Sequence, residues 1–371
     1  MKRRTFVALA AVAASLTMSV SAAFANTVVD TMDRTVEVPD TVNRVLLGFY
    51  FEDFYAIGGP DAYSKVVAIS RPAWEGWRNS QWKAYNAVNP ALDSLVDVGE
   101  VDAGTFALEK AVAAKPDVAI IAAWQYRAMG DVVGKLEAAG IPVVVADYNA
   151  QTVEKHVAST LLIGKVIGAE ERAQELVDNY VAAVSDVEAR VAKALDARGG
   201  EKPKVYIELG HKGAGEYGNS YANKMWGGVI ALAGGDNIAV GALENRGPLN
   251  PEYVIASNPD VIFIAGSYWM KRDNAVVMGF GVDPAQTRER LMPFTERAGW
   301  PGLKAVKNGQ IYAVYHGGAR TLYDYTFLQY MAKAMYPEAF ADVDPVANHK
   351  AYYAKYLPIA AEGTFMLKLA D

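Results

Sequence analysis

The stretch that decides the fold is Glu170 to Ala197, EERAQELVDNYVAAVSDVEARVAKALDA, which predicts one long amphipathic helix. Its apolar residues recur every three or four positions, the spacing of a single helix face. These are Leu176, Tyr180, Val184, Val187, Val191 and Leu195. At about 1.5 Å per residue, the helix would be roughly 42 Å long. Gly199, Gly200 and Pro203 follow and end it.

Strands and helices alternate on both sides of this helix. Short apolar runs, typical of buried strands, are separated by helical patterns before the long helix, and the same alternation restarts after it. This order predicts an α/β fold with mainly parallel sheets. The candidate strands lie at residues 44–47, 66–69, 118–121, 143–145, 205–208, 261–264 and 310–314.

An internal repeat indicates that the two sides are similar. Residues 108–118, LEKAVAAKPDV, match residues 251–261, PEYVIASNPDV, and each copy reads as a short helix, Pro-Asp and a buried strand. That junction is common in α/β folds, but the Glu at the same place in both copies favours a true repeat. We therefore expect two α/β lobes facing a cleft and bridged by one long helix. The predicted boundaries are 26–150 for the N-terminal lobe, 151–200 for a helical tract that includes the bridge, and 201–371 for the C-terminal lobe.

Residues 1–25 predict a secretory signal peptide. Lys2, Arg3 and Arg4 precede an uncharged apolar run at 6–20, and a small-x-small motif ends at Ala25, where we expect cleavage. The run is short for a spanning helix, although an N-terminal membrane anchor is the alternative reading. Export by the ordinary secretory route is favoured over the twin-arginine route, and the choice stays open. The predicted location is the periplasm.

Composition excludes several classes of protein. The 371 residues contain no cysteine, which rules out disulfides, thiolate metal sites and lipid attachment through cysteine. Lys and Arg total 36 against 42 acidic residues, for a net charge of −6. Without a basic excess to hold a phosphate backbone, nucleic acid is not an expected partner.

Three further segments resemble a known family. The opening segment 30–39, DTMDRTVEVP, followed by Asn-Arg-Val at 43–45, is similar to that family's first hairpin, although Asp33 stands where the family usually has Gly. GGDNIA at 234–239 resembles its turn in the second lobe, and 328–340 looks like its closing helix. The family comprises the substrate-binding proteins of bacterial ABC importers for iron–siderophores, haem, cobalamin and related metal chelates. The resemblance covers nearly all of the chain after residue 25.

The resemblance implies a partner as well as a fold. Family members have two lobes bridged by one helix and deliver a small-molecule chelate to a permease in the inner membrane. One Glu on each lobe docks onto arginines of that permease, and Glu109 and Glu252 occupy those positions here. Two carboxylates at the rim would set the register of a basic partner and steer it. A monomer is expected.

Loops that follow the strands supply the candidate ligand-binding residues, because such loops meet where two lobes face each other. They repeatedly combine an aromatic residue with a cation. Arginine complements anionic oxygens, and Trp and Tyr offer flat apolar walls. The candidates are Tyr50, Arg71, Trp74, Trp124, Arg127, His211, Tyr217, Tyr268, Arg272, His316 and Arg320.

Tyr217, Tyr268 and His211 are also candidate metal contacts, because phenolate and imidazole bind Fe(III) where the chelate leaves a position open. Whether such groups touch the metal or only the organic shell stays open. His156 and His349 lie in helical patterns and are predicted to be structural.

The function predicted from these residues is delivery of an iron(III) chelate of siderophore type, with haem or a molybdate-type oxyanion as alternatives. No resident cofactor is expected, and a bare zinc or manganese ion would need more His, Asp and Glu ligands than the loops offer. If the protein were an enzyme, Asp147, Glu208 and His211 would be its candidate acid–base residues. No nucleophile elbow, phosphate loop or metalloprotease motif accompanies them, so an enzyme is not expected. Arg320 is predicted to pair with Asp324, four residues later.

Overall fold

The computed structural model describes residues 26–370. The predicted signal peptide and Asp371 lie outside the described residues. Two five-stranded sheets dominate the described chain, one formed before the long helix and one after it. The α/β class and the two-lobe arrangement with one bridging helix are confirmed.

The strands are short, and those of the two large sheets are mostly buried. In chain order they are β1 (Asn26–Val29), β2 (Thr35–Val38), β3 (Val45–Leu47), β4 (Val66–Ile69), β5 (Val96–Asp97), β6 (Val118–Ala122), β7 (Val143–Ala146), β8 (Lys204–Leu209), β9 (Asn219–Tyr221), β10 (Asp236–Asn237), β11 (Arg246–Pro248), β12 (Val261–Gly266), β13 (Gly279–Phe280), β14 (Ile311–Tyr315), β15 (Gly363–Thr364) and β16 (Met366–Lys368).

The α-helices flank the sheets and connect them. Within residues 26–370, none of the helices is both long enough and apolar enough to cross a bilayer. In chain order they are α1 (Phe51–Gly58), α2 (Asn79–Val88), α3 (Leu108–Ala113), α4 (Ala123–Met129), α5 (Asp131–Ala138), α6 (Val153–Ile167), α7 (Glu170–Ala197), α8 (Trp226–Leu232), α9 (Pro251–Ser257), α10 (Pro284–Leu291), α11 (Lys304–Lys307), α12 (Asp324–Met335) and α13 (Pro345–Tyr356).

The N-terminal sheet has the order β5-β4-β3-β6-β7, and every pairing in it is parallel. The C-terminal sheet has the order β10-β8-β12-β14-β16, with only β16 antiparallel. Parallel sheets covered on both faces need apolar residues on both faces, which explains the unbroken apolar runs. Before the first sheet, β1 and β2 form the predicted antiparallel hairpin.

The internal repeat occupies equivalent places in the two sheets. Helix α3 leads into β6, which lies between β3 and β7, and helix α9 leads into β12, which lies between β8 and β14. Each copy therefore places its strand beside the first strand of its own five-stranded sheet. In such units the helix runs opposite to the strands, so its first turn lies at the carboxyl edge of the sheet. Glu109 and Glu252 are exposed residues of those first turns.

Helix α7 spans the predicted residues, and its predicted face is buried except at Leu195, which is half-buried near the end. It packs against α6, which precedes it in the sequence, and against α12, which belongs to the part of the chain that follows it. The predicted closing helix differs, because α12 ends at Met335, just before Tyr336-Pro337. A proline disfavours helical geometry in the residue before it, which accounts for the earlier end.

The lobes also contact each other directly through two adjacent acidic residues of α1. A side-chain oxygen of Asp53 accepts the Leu322 backbone N–H at 2.7 Å. Glu52 accepts the hydroxyl groups of Tyr323 at 2.6 Å and Tyr353 at 2.8 Å. These bonds fix the segment before α12 against the N-terminal lobe.

Candidate functional site

A cavity of about 560 Å³ lies between the two lobes. Most of its wall comes from segments that follow β3, β4 and β6 on one side and β8, β12 and β14 on the other. Carboxyl ends of parallel strands meet at one edge of each sheet, which is where α/β proteins build their binding sites. The cleft therefore lies where the sequence predicts it.

One wall of the cavity is aromatic. The rings of Phe49 and Trp124 meet edge to face with centroids 5.4 Å apart. The ring centroid of Trp77 lies 6.2 Å from that of Trp124. Trp269 and Tyr221 add aromatic rings to the cavity from the C-terminal lobe. Such rings give a flat apolar surface large enough to hold an organic group.

Cations outnumber carboxylates in the cavity wall. Six basic side chains line it, whereas only Asp102 and Asp147 are acidic. At the mouth, Asp102 and Arg246 approach to 4.0 Å across the cleft, and both are largely exposed. The excess of positive charge favours an anionic ligand. The basic residues are Arg78, Arg127, Lys224, Arg246, Arg272 and Arg320.

Arg78 and Arg320 are buried, yet they lack carboxylate partners within the described chain. They are only 4% and 5% exposed, and both lie over the ring of Phe49, at 5.1 and 5.4 Å from its centroid. Nη2 of Arg78 and Nε of Arg320 have no hydrogen-bond partner among residues 26–370. Arg297 shows the contrast, because its guanidinium binds both oxygens of Glu208 and three backbone carbonyls.

The buried position of Arg320 makes its positive charge energetically unfavourable. Burial, followed by repulsion from Arg78, lowers the pKa of Arg320 to about 9. A buried cation without an anion is rare in proteins unless a ligand supplies the missing charge. The two guanidinium groups, one from each lobe, therefore form a subsite suited to an anion.

The predicted pairing of Arg320 with Asp324 does not form. Asp324 instead contacts His156 Nε2 at 2.9 Å and accepts a hydrogen bond from the side-chain amide of Gln151. Arg320 lies before α12, which begins only at Asp324, so Arg320 and Asp324 do not share a helix face. His156 and His349, predicted to be structural, are both buried.

His316 presents an N–H to the cavity. The indole N–H of Trp226 donates to His316 Nδ1 at 3.1 Å, so the ring proton must reside on Nε2. Burial, together with the nearby Arg320 and Arg78, lowers the pKa of His316 well below 6.5 and keeps the ring neutral. His316 is thus a hydrogen-bond donor suited to an anion rather than a metal ligand.

His211 has the opposite tautomer. Its Nδ1 lies 3.1 Å from the carbonyl oxygen of Leu209, which requires the proton on Nδ1 and leaves a lone pair on Nε2. Burial also lowers the pKa of His211, so the ring is neutral at physiological pH. Of the two cavity histidines, only His211 offers a nitrogen able to coordinate a metal.

The structure brings six of the predicted ligand-binding residues together. They come from both lobes and include both histidines. The six that line the cavity are Trp124, Arg127, His211, Arg272, His316 and Arg320.

Three predicted residues of the N-terminal lobe lie outside the cavity wall. Trp74 is fully buried and stacks on Phe51 with centroids 4.6 Å apart. Arg71 turns away and donates to the carbonyl oxygen of Asp93 at 2.7 Å. Tyr50 is buried behind the wall. In each case packing inside the lobe uses the side chain that the loop position alone suggested for the ligand.

Two predicted metal contacts of the C-terminal lobe also lie outside the wall. The Tyr217 hydroxyl accepts the indole N–H of Trp300 at 2.8 Å, and its ring covers the guanidinium of Arg297. Tyr268 is 44% exposed, and its backbone carbonyl accepts the N–H of Asn79 across the cleft. The structure therefore does not place either phenol where it would reach a metal in the cavity.

Sequence reasoning missed several residues of the wall. Phe49, Trp77 and Arg78 stand in the same loops as predicted residues, but the sequence does not show which side chains turn inward. Tyr221 and Arg246 come from β9 and β11, which form a small separate antiparallel sheet. No motif announces these two, because only the folding of that sheet over the cleft brings them to the ligand side.

The described chain offers no site for a bare metal ion. Among residues 26–370, no three His, Asp or Glu side chains cluster in a way that could hold one.

Comparisons with known proteins place the chain in a family. A family model described as periplasmic binding protein matches residues 45–315. FepB from Veillonella parvula, a TroA-like periplasmic binding protein, is 36% identical with a TM-score of 0.85, covering 92% of this chain and 99% of that one.

Two more distant relatives show the same fold. The molybdate-binding protein MolA of Haemophilus influenzae is 22% identical over 365 residues, 91% of this chain and 93% of that protein. The structure of MolA bound to molybdate has a TM-score of 0.70 at 19% identity, over 91% of this chain and 99% of that one. A periplasmic haem-binding protein from Pseudomonas aeruginosa has a TM-score of 0.57 at 19% identity, over 80% of this chain and 94% of that one.

These matches are to transport binding proteins and not to enzymes, as expected from the absence of catalytic motifs. They agree with the two lobes, the single bridging helix and the cleft described above. The chain belongs to the periplasmic binding protein family, the substrate-binding components of ABC transporters.

Proposed function

We propose that this protein binds an anionic iron(III) chelate of siderophore type and delivers it to the permease of an ABC importer. The observation that carries the proposal is the pair of buried guanidinium groups, Arg78 and Arg320, which face one cavity and form no ion pair within residues 26–370. An anion seated between them would supply the missing charge and join the two lobes.

The size and wall of the cavity favour a ligand with an organic shell. About 560 Å³ falls within the range of sites for drug-sized molecules, which is roughly 300–1,000 Å³. A tetrahedral oxyanion would leave most of this space empty. The rings of Phe49, Trp77 and Trp124 would instead pack against the aromatic or aliphatic parts of a chelator.

The two histidines of the cavity have different roles in the proposed site. The Nε2–H of His316 would donate to an anionic oxygen of the ligand. The Nε2 lone pair of His211 would contact the iron if the chelator leaves a coordination position open. Arg127 and Arg272, also in the wall, add positive charge that attracts the complex.

A molybdate-type oxyanion is the second candidate. The relative MolA is a molybdate-binding protein, and two adjacent guanidinium groups suit an oxyanion as well as a chelate. Haem, which the Pseudomonas aeruginosa relative binds, also carries carboxylates and a flat ring. The large aromatic wall favours the iron chelate over the oxyanion.

Tryptophan fluorescence tests the proposal, because Trp77, Trp124 and Trp269 line the cavity. The purified protein is titrated with a trianionic iron(III) tris-catecholate complex and with a neutral iron(III) tris-acetohydroxamate complex. We expect saturable quenching by the trianion and much weaker binding of the neutral complex. Molybdate and haemin are titrated in parallel. Equal binding of both iron complexes, or saturation by molybdate alone, would contradict the proposal.

Purification from the native periplasm identifies the ligand directly. Mass spectrometry and metal analysis of what accompanies the protein should reveal iron together with an organic chelator. The same preparation tests the proposed maturation, because its N-terminus should be Asn26 if cleavage follows Ala25.

The permease partner is proposed to engage the edge of the sheets that carries the cleft. Glu109 and Glu252 are exposed in the first turns of α3 and α9, one on each lobe. Carboxylates in the first turn of a helix are electrostatically favourable and leave their oxygens free for a basic partner. We propose these two residues as the docking contacts and the monomer as the docking form.

A further inference from the structure

We propose that Gln151, which does not line the cavity, is a positioning residue for the anion: its side-chain amide fixes the backbone of Arg320 and thereby the guanidinium. The inference rests on the proposed function, since Arg320 must contact the anion for its position to matter. Gln151 lies two residues before α6, in the tract that connects the lobes, whereas Arg320 belongs to the C-terminal lobe.

The amide of Gln151 uses both of its ends on one short segment. Its Oε1 accepts the backbone N–H of Arg320 at 3.1 Å. Its Nε2 donates to the carboxylate of Asp324. Gln151 is 3% exposed, so water does not replace these bonds at low cost. One side chain thus clamps both ends of the turn that carries Arg320.

Arg320 needs such a clamp because its backbone is strained. Its φ of 61° lies in the left-handed region, which residues with a Cβ atom rarely adopt. The guanidinium itself is held only by a 3.7 Å contact of Nη1 with the sulfur of Met225 and by the ring of Phe49. It makes no ion pair among the described residues and is repelled by Arg78, so a fixed backbone adds the restraint that these weak contacts lack.

Gln151 has a left-handed backbone too, with φ of 58°, but its neighbours hold it in place. Its backbone N–H donates to the carbonyl oxygen of Tyr148. Gln151 packs closely on α8 of the C-terminal lobe: a Cβ atom built on Gly228 would lie only 2.6 Å from the Cβ of Gln151. The carboxylate that Gln151 binds is fixed in turn by His156. The position of Arg320 is thus set from the interlobe tract.

Gln151→Met tests the inference, because Met has a similar shape but no amide. Gln329→Met is the matched control, since Gln329 is also a buried amide, bonded to Asn348 away from the cavity. Each variant is titrated with the trianionic and the neutral iron(III) complexes, and Gln151→Met is crystallised. We expect its affinity for the trianion to fall about 10-fold or more. Affinity for the neutral complex, and both affinities of the control, should change less than about twofold.

The outcomes separate this inference from the proposed function. Unchanged trianion affinity in Gln151→Met, or an equal loss for both complexes, would overturn the positioning role and leave the function standing. If the wild-type protein binds neither complex, the proposed function fails. The crystal structure then decides alone: an undisturbed Arg320 overturns the inference, and a guanidinium displaced from Phe49 supports it. Gln151→Asn, polar but one methylene shorter, replaces the Met variant if that variant does not fold.

Discussion

Replacing Arg320 by Met should make the ligand-free protein more stable while weakening anion binding. Burial and Arg78 lower the pKa of Arg320 from 12.5 to about 9. At neutral pH, keeping the side chain protonated therefore costs roughly 5 kcal/mol of folding free energy. Loss of the contact with the ring of Phe49, about 2 kcal/mol at most, offsets part of the gain. We expect the free energy of unfolding to rise by about 3 kcal/mol.

The gain in stability of Arg320→Met depends on pH, and the lowered pKa of Arg320 sets the direction of that dependence. Because the folded state binds the Arg320 proton more weakly than the unfolded chain, the cost is fully present below about pH 9. As the pH rises above that value, the folded protein loses the proton and the cost fades. The stability difference between variant and wild type should be constant from neutral pH downward and should narrow at alkaline pH.

Urea unfolding followed by circular dichroism measures this difference, with Arg127→Met as the control. Arg127 also lines the cavity but is exposed, so its replacement should leave stability nearly unchanged. In fluorescence titrations, Arg320→Met should bind the trianionic complex about 10- to 100-fold more weakly. An Arg320→Met protein that is less stable than wild type would refute the reasoning, because it would show that the guanidinium has stabilising partners without ligand.

Three further variants test other parts of the molecule. Reversal of both Glu109 and Glu252 to Arg should abolish uptake in cells and leave ligand binding in solution intact, since the two residues face outward. Tyr217→Phe with Tyr268→Phe should leave the visible spectrum and affinity of the bound iron complex unchanged, because neither phenol lines the cavity. Asp53→Asn should flatten the stability profile between about pH 4 and pH 8. Burial raises the pKa of Asp53 from 3.8 to about 8, so wild-type stability falls as the pH rises through that window.

Each of these expectations has a result that would contradict it. Normal uptake by the double reversal would exclude the proposed docking contacts. A bleached absorption band in the double phenylalanine variant would show that a phenol reaches the iron after all. An unchanged decline of stability with pH in Asp53→Asn would assign that decline to other buried groups.

The architecture was largely predictable because it depends on local patterns. The spacing of apolar residues in 170–197 marked the bridging helix to its observed ends. The copies at 108–118 and 251–261 marked equivalent helix–strand units in the two sheets. These patterns are visible in the sequence because a buried helix face requires apolar residues every three or four positions, and a strand buried on both faces requires a continuous apolar run.

The site was predictable only to the level of its loops. Position after a strand identified Trp124, His211 and Arg320 correctly as residues of the cavity wall. The same rule also selected Trp74 and Tyr217, whose rings pack inside their own lobes. A loop position states where the backbone passes but not which way each side chain turns, since neighbouring residues point in different directions.

The sequence by itself determined that this protein has two α/β lobes, a bridging helix and loops rich in aromatic residues and cations. Only the tertiary structure decided that Arg78 from one lobe and Arg320 from the other share the ring of Phe49, with no carboxylate paired to either in the part of the chain that the structure describes. It also decided which tautomers His211 and His316 adopt, through partners that the sequence does not reveal. The physical reason is range: secondary structure follows from neighbours along the chain, whereas the charge and hydrogen bonding of a binding site depend on groups brought together from distant segments.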